Sequence, residues 1–162
     1  MSTPGQHDAS SLLRVVTAEL DIVQRFVSLL GVEQAALSSG DTDQLPELIE
    51  QKNLTANQLG TLAKERNTVL AAQGYAADRA GIEAWCEHYP RHTDVAEAWK
   101  KTISLASEAR ELNNINGKLI TLRMQYNAKA LEALRGGSNS LDLYGPDGQS
   151  TSLGRIRIDD AV

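Results

Sequence analysis

The chain has 162 residues and a formal charge of −5, so one domain is the default expectation and an acidic balance argues against non-specific nucleic-acid binding. Hydrophobic residues reach 41% but aromatics only 4%, which leaves Leu, Ala, Val and Ile, the material of helix–helix seams. A single cysteine, Cys86, excludes an internal disulfide framework and fits a reducing cytoplasm; no signal peptide or membrane span is expected, since neither a leader pattern nor a run of about 18 apolar residues occurs.

The polar start from Met1 to His7 reads as a frayed end. A first helix is expected at about 9–38, with Asp8, Ser10 and Ser11 as possible N-caps. Within it Leu13, Val16, Leu20, Val23, Val27, Leu30, Gln34 and Leu37 keep a 3-4 heptad spacing. A second row, Val15, Ile22, Phe26 and Leu29, lies beside it. That face is wider than one seam needs and calls for two neighbours, or one neighbour and a visitor.

Ser38-Ser39-Gly40-Asp41 is a stop-and-restart signal. Gly40 suits a left-handed C-terminal cap, and Asp41 to Asp43 offer caps for the next helix. That helix is expected at about 43–72, with Pro46 in its first turn, where a missing N–H is harmless. The short connection makes the two helices antiparallel neighbours. Gly74 ends the second helix, and a short helix follows near 77–88. Tyr89-Pro90 breaks it. Trp85 and Trp99 flank the break and are expected to pack across it.

A long helix then spans about 94–135, with Asp94 and Glu97 spaced as a capping box and Gly117 as its only glycine. Such a helix is about 60 Å long. Leu105, Ala109, Leu112, Leu119, Ile120, Met124, Tyr126, Ala130, Leu131 and Leu134 fall on one broad face. Asn113, Asn116, Arg123 and Asn127 lie on or beside it. Two readings stay open for these polar residues. They set register inside a seam, as a buried asparagine does in coiled coils, or they belong to a face that accepts a partner helix. Gly117 costs about 1 kcal/mol against alanine in a helix, and close approach of another backbone is the expected return. After Arg135 the sequence turns to a Gly-Gly-Ser linker and a tail without helical pattern.

Catalytic and metal chemistry find no foothold. The three histidines do not align with Cys86 or with one another as ligands, since Pro90 separates His88 from His92. No Glu-x-x-His pair, Gly-rich phosphate loop or nucleophile–base–oxyanion set occurs. Neither an enzyme nor a bound cofactor or metal is expected.

Three motifs occur in a telling order: GDTDQLPELIEQKNL at 40–54, ELNNINGKLI at 111–120, and LYGPDGQSTS at 143–152. They resemble the Gly-Asp start of the second helix, the Asn-x-x-Asn-Gly signature and the Leu-Tyr-Gly-x-x-Gly-Gln tail of the FlgN-type flagellar export chaperones. The resemblance implies a cytoplasmic chaperone of the flagellar type III export apparatus. Its clients would be the hook-associated proteins FlgK and FlgL, held by their helix-prone C-terminal segments. Carried onto this chain, the client site comprises Asn116, Leu119, Ile120 and Arg123, followed by Met124, Asn127, Leu131 and Leu134. The tail residues Leu143, Tyr144 and Gly145 would dock on the cytosolic domain of the export gate protein FlhA.

The expected fold is all-α: an elongated antiparallel hairpin or bundle of long helices over 1–135, with a flexible tail over 136–162. The alternative to a chaperone is a non-enzymatic coiled-coil adaptor or homodimeric structural protein, motivated by the heptad of the first helix.

Overall fold

A computed structural model describes residues 4–141, and the side-chain surroundings of 9–136. The described residues form helices and no strand: α1 Pro4–Ser39, α2 Leu45–Ala72, α3 Arg79–His88 and α4 Thr93–Leu141. The all-α class and the order of the elements follow the sequence pattern. By packing, a first compact unit ends at Ile120 and a second begins at Thr121, inside α4 and before the change of composition at Arg135.

The helix ends have local causes. Gly40 and Gly74 adopt φ of 89° and 81°, the left-handed region that only glycine enters without strain. Each returns its N–H to the preceding helix, Gly40 to Ala36 O and Gly74 to Ala71 O, both at 3.0 Å. Pro46 sits in the first turn of α2. Asp78 caps α3, its carboxylate accepting from Gly81 N at 2.9 Å.

Several boundaries differ from expectation. α1 begins at Pro4, so Asp8, Ser10 and Ser11 lie inside the helix; proline is pre-set for a first helical position. α2 takes Gln44 as N-cap with no side-chain bond, and Asp41 instead accepts from Gln44 Nε2 at 3.5 Å. α4 starts at Thr93, and Asp94 accepts from the adjacent Val95 N at 2.9 Å rather than closing a box with Glu97. At its other end α4 runs past Arg135 to Leu141. Extending a formed helix adds a hydrogen bond per residue without a new nucleus, which offsets the glycine cost.

In the first unit α1 and α2 pack antiparallel. Val16, Val23, Leu30 and Leu37 are buried, every seventh residue of the heptad. A second heptad row, Leu12, Glu19, Phe26 and Glu33, carries two buried carboxylates. Glu19 Oε1 accepts from Arg66 Nη1 at 2.6 Å, and Glu33 Oε2 accepts from Lys52 Nζ at 2.8 Å. Glu19 and Glu33 stand two heptads apart on α1, as do Arg66 and Lys52 on α2, so one antiparallel register satisfies both pairs.

α4 adds its own heptad to this hairpin: Val95, Thr102, Ala109 and Asn116 are all buried. Asn116 is 1% exposed, and its Nδ2 donates to Leu30 O at 2.9 Å and Glu33 Oε2 at 2.8 Å. One carboxylate thus joins α1, α2 and α4.

The largest apolar cluster gathers Leu12 and Val16 of α1, Leu70 of α2, Ile82 and Trp85 of α3, and Val95 and Trp99 of α4. Trp85 and Trp99 share this cluster, yet their ring contacts differ. Trp85 packs on Tyr89 and His92, with centroids 4.9 and 5.6 Å away, and donates Nε1–H to Gln73 at 2.6 Å. Trp99 lies under the Arg66 guanidinium, 4.8 Å from its centroid.

Gly117 does not serve a close approach. A Cβ built there meets nothing within 4 Å, whereas one at Gly81 collides with the Ala76 carbonyl oxygen. Gly117→Ala is therefore expected to stabilise the protein by up to about 1 kcal/mol in urea unfolding. Gly81→Ala is expected to lower stability and force the Ala76 turn to move.

Burial pushes the Glu19 carboxyl above its ordinary value of 4.5, against the opposing pull of Arg66. Native Glu19 then keeps its proton at pH values where unfolded Glu19 has lost it. The native state binds more protons in that window, so this contribution to stability is full below about pH 4.5 and is lost as pH rises through the raised value. Denaturation across that window is expected to show a smaller decline for Glu19→Gln than for the natural chain. At neutral pH, Glu19→Ala is expected to cost about 3–5 kcal/mol by stranding Arg66, and Glu19→Leu with Arg66→Met to recover most of it.

Candidate functional site

The apolar pattern of α4 changes along its length. Through the first unit its seam positions are used: Ala109 and Asn116 are buried, and Leu105, Leu112 and Leu119 half-buried. Ile120, at the end of that unit, is already exposed.

In the second unit the helix is sustained by strong helix formers, among them Leu122, Met124, Ala128, Ala130, Leu131, Ala133 and Leu134. Its large apolar side chains are nonetheless open. Met124 is 68% and Leu134 73% exposed, and Leu122, Tyr126 and Leu131 are also more than half exposed. Met124, Leu131 and Leu134, with Asn127 between them, keep the 3-4 spacing of a helix-binding stripe. Open apolar side chains that repeat in register make this face a candidate interaction surface.

The residues assigned from the sequence therefore part company. Met124, Asn127, Leu131 and Leu134 share an exposed face of the second unit, with Arg123 half-buried beside them. Leu119 and Ile120 belong to the first unit. Asn116 is a correction: both of its amide hydrogens are spent on α1, so it sets the register of a closed seam and is no part of an open face. Leu122 and Tyr126 widen the exposed surface beyond the stripe. Leu122 escaped periodicity because it sits on the side of Gln125 and Lys129. Leu143, Tyr144 and Gly145 lie outside the described residues.

Cys86 is half-buried, and burial, with the Glu83 carboxylate adding, pushes its thiol up, away from the reactive thiolate. His88 and His92 are committed to ring packing, His92 against Trp85 and Tyr89, and His88 edge-on to Tyr75 at 6.4 Å. Among the described residues no three His, Cys, Asp or Glu side chains converge as metal ligands, and no helix is long and apolar enough to cross a membrane.

Comparison with known proteins agrees with the motif order. The family model described as FlgN protein matches residues 1–152. The flagella synthesis protein FlgN of Proteus mirabilis is 29% identical over 141 residues, 86% of this chain and 89% of that protein. The protein of the same name from Yersinia enterocolitica is 29% identical over 134 residues, 82% of this chain and 84% of its own length. That of Salmonella typhimurium is 29% identical over 98 residues, covering 60% and 69%. No solved structure gives a significant match.

An exposed stripe contributes little to folding. Met124→Ser and Leu131→Ser are expected to change urea-unfolding stability by no more than about 0.5 kcal/mol. Leu30→Ala, in the closed seam, is expected to cost about 2–5 kcal/mol.

Proposed function

The chain belongs to the FlgN protein family, and from that premise we propose that it is a cytoplasmic export chaperone for hook–filament junction proteins. Its clients are the hook-associated proteins FlgK and FlgL, bound through their helix-prone C-terminal segments and delivered to the flagellar type III export gate. The observation that carries this reading is the exposed 3-4 stripe of Met124, Leu131 and Leu134 on a helix whose earlier turns bury Val95, Thr102, Ala109 and Asn116.

The mechanism is one of covering and release. A client segment unfolded in the cytosol exposes an apolar stripe that associates with itself. Laid along the stripe of α4, it buries that surface as a helix on a helix. Asn127 and the Arg123 side chain supply polar groups at the edge, which fix orientation more than affinity. Folding the client consumes part of the interaction energy, so affinity stays moderate and the load can be handed on. No nucleotide is required by such a cycle. Tyr144, with Leu143 and Gly145, docks the loaded chaperone on the cytosolic domain of FlhA, so that the client and gate contacts use different residues of the sequence.

Calorimetric titration with a C-terminal FlgK or FlgL peptide tests the client site. Met124→Asp and Leu131→Asp are each expected to weaken binding at least about tenfold, the 1.4 kcal/mol or more that burying a charge in an apolar contact costs. Full affinity in both variants, or in a chain truncated after Lys118, contradicts the assignment. Tyr144→Ala is expected to leave peptide binding unchanged and to abolish capture by the cytosolic domain of FlhA; equal loss of both contradicts the division of labour.

A further inference from the structure

The α1–α2 hairpin carries a second apolar groove whose residues take no part in the tryptophan cluster or in the Asn116 bonds. It is an open hollow of about 700 Å³ floored by Ala18, Ile22, Leu54 and Leu62. It runs on into a neighbouring hollow of about 370 Å³ that shares Arg25 and Leu54 and reaches Leu29. Leu54 is 58% exposed in the middle of the helix pair and adds to the apolar lining of both hollows.

The charges at this groove are arranged in a particular way. Both lie on α1: Asp21 and Arg25, one helical turn apart. The α2 rim offers only uncharged groups, Asn57, Gln58 and Thr61. Acid before base at i,i+4 is the favoured order for a pair within a helix. Even so, neither side chain takes part in an ion pair among the described residues.

We propose that this groove is a self-docking surface for a second copy of the chain. Two hairpins meet with their α1 helices antiparallel, about a two-fold axis that passes near Val23. That operation sets Asp21 of each copy against Arg25 of the other, so the unpaired charges become two symmetric ion pairs. Leu54 of each copy then lies under the facing helix. An isologous contact requires one patch to hold both members of every complementary pair. This patch does, and the uncharged α2 rim neither adds to the pattern nor opposes it. A foreign helix would need its own matching acid and base at the same spacing.

Sedimentation velocity of the full chain, from low to high micromolar concentration, reads the association directly. The natural chain is expected to pass from monomer to dimer. Asp21→Arg and Arg25→Asp, both at exposed positions, are each expected to weaken the dimer at least about tenfold by placing like charges face to face. Mixing the two variants is expected to restore association, because each then presents what the other lacks. Leu54→Glu is expected to weaken it as well, with the circular dichroism of the natural chain retained. A natural chain that stays monomeric throughout overturns the proposal, as does a dimer indifferent to both reversals or a mixture that fails to recover. If the natural chain is monomeric and the reversals instead weaken binding of a FlgK or FlgL peptide, self-docking is wrong and the groove belongs to a foreign helix.

Discussion

Two buried acid–base pairs set the register on which the first unit depends. A buried ion pair adds little net stability, because desolvation offsets much of the attraction. Its force lies in what happens when it is broken. If α1 slips one heptad along α2, Glu19 and Glu33 come to face Leu45, Leu59 or Gln73, and both carboxylates are buried without a cation. A slip of two heptads forms one cross pair, Glu33 with Arg66 or Glu19 with Lys52, and strands the other two charges. Apolar heptads alone would tolerate either slip, since leucine and valine interchange along the seam at low cost. The charges make the hairpin single-valued.

The same device positions α4. Glu33 accepts from Lys52 and Asn116 at once, so the carboxylate that aligns α2 also fixes which turn of α4 meets α1. Val95, Thr102, Ala109 and Asn116 then form one heptad edge. Met124, Leu131 and Leu134, in the next unit, are open although they are as hydrophobic as the buried ones. The chaperone reading follows from this separation of a closed, polar-pinned seam from an exposed stripe in the next unit.

Much of this was legible in the chain, and the failures have physical reasons. Gly40, Gly74, Pro46 and Pro90 mark helix ends because they act through their own backbones. The Val16-Val23-Leu30-Leu37 heptad is visible because burial follows period. Glu19, Glu33 and Arg66 were missed because charge is read as solvent-facing by default. The clue was positional: both glutamates fall at heptad intervals from Leu12 and Phe26. Asn116 stood open between seam and site because an amide suits either, and only the position of α1 decides it. Gly117 misled because glycine in a helix suggests contact, whereas here the space beside it is empty. That Met124, Leu131 and Leu134 share one face was readable from their 3-4 spacing; that the face is open was not, because the same spacing marks the buried seam of α1, and Leu122 lies off that spacing.

Amide hydrogen exchange of the full chain with and without a FlgK C-terminal peptide bears most directly on the separation of seam from stripe. The account predicts that the peptide slows exchange along α4 from Thr121 to Gly136 and leaves the α1–α2 seam, from Val16 to Leu30, at its unliganded rate. Protection centred on α1 and α2, with none beyond Thr121, would contradict it.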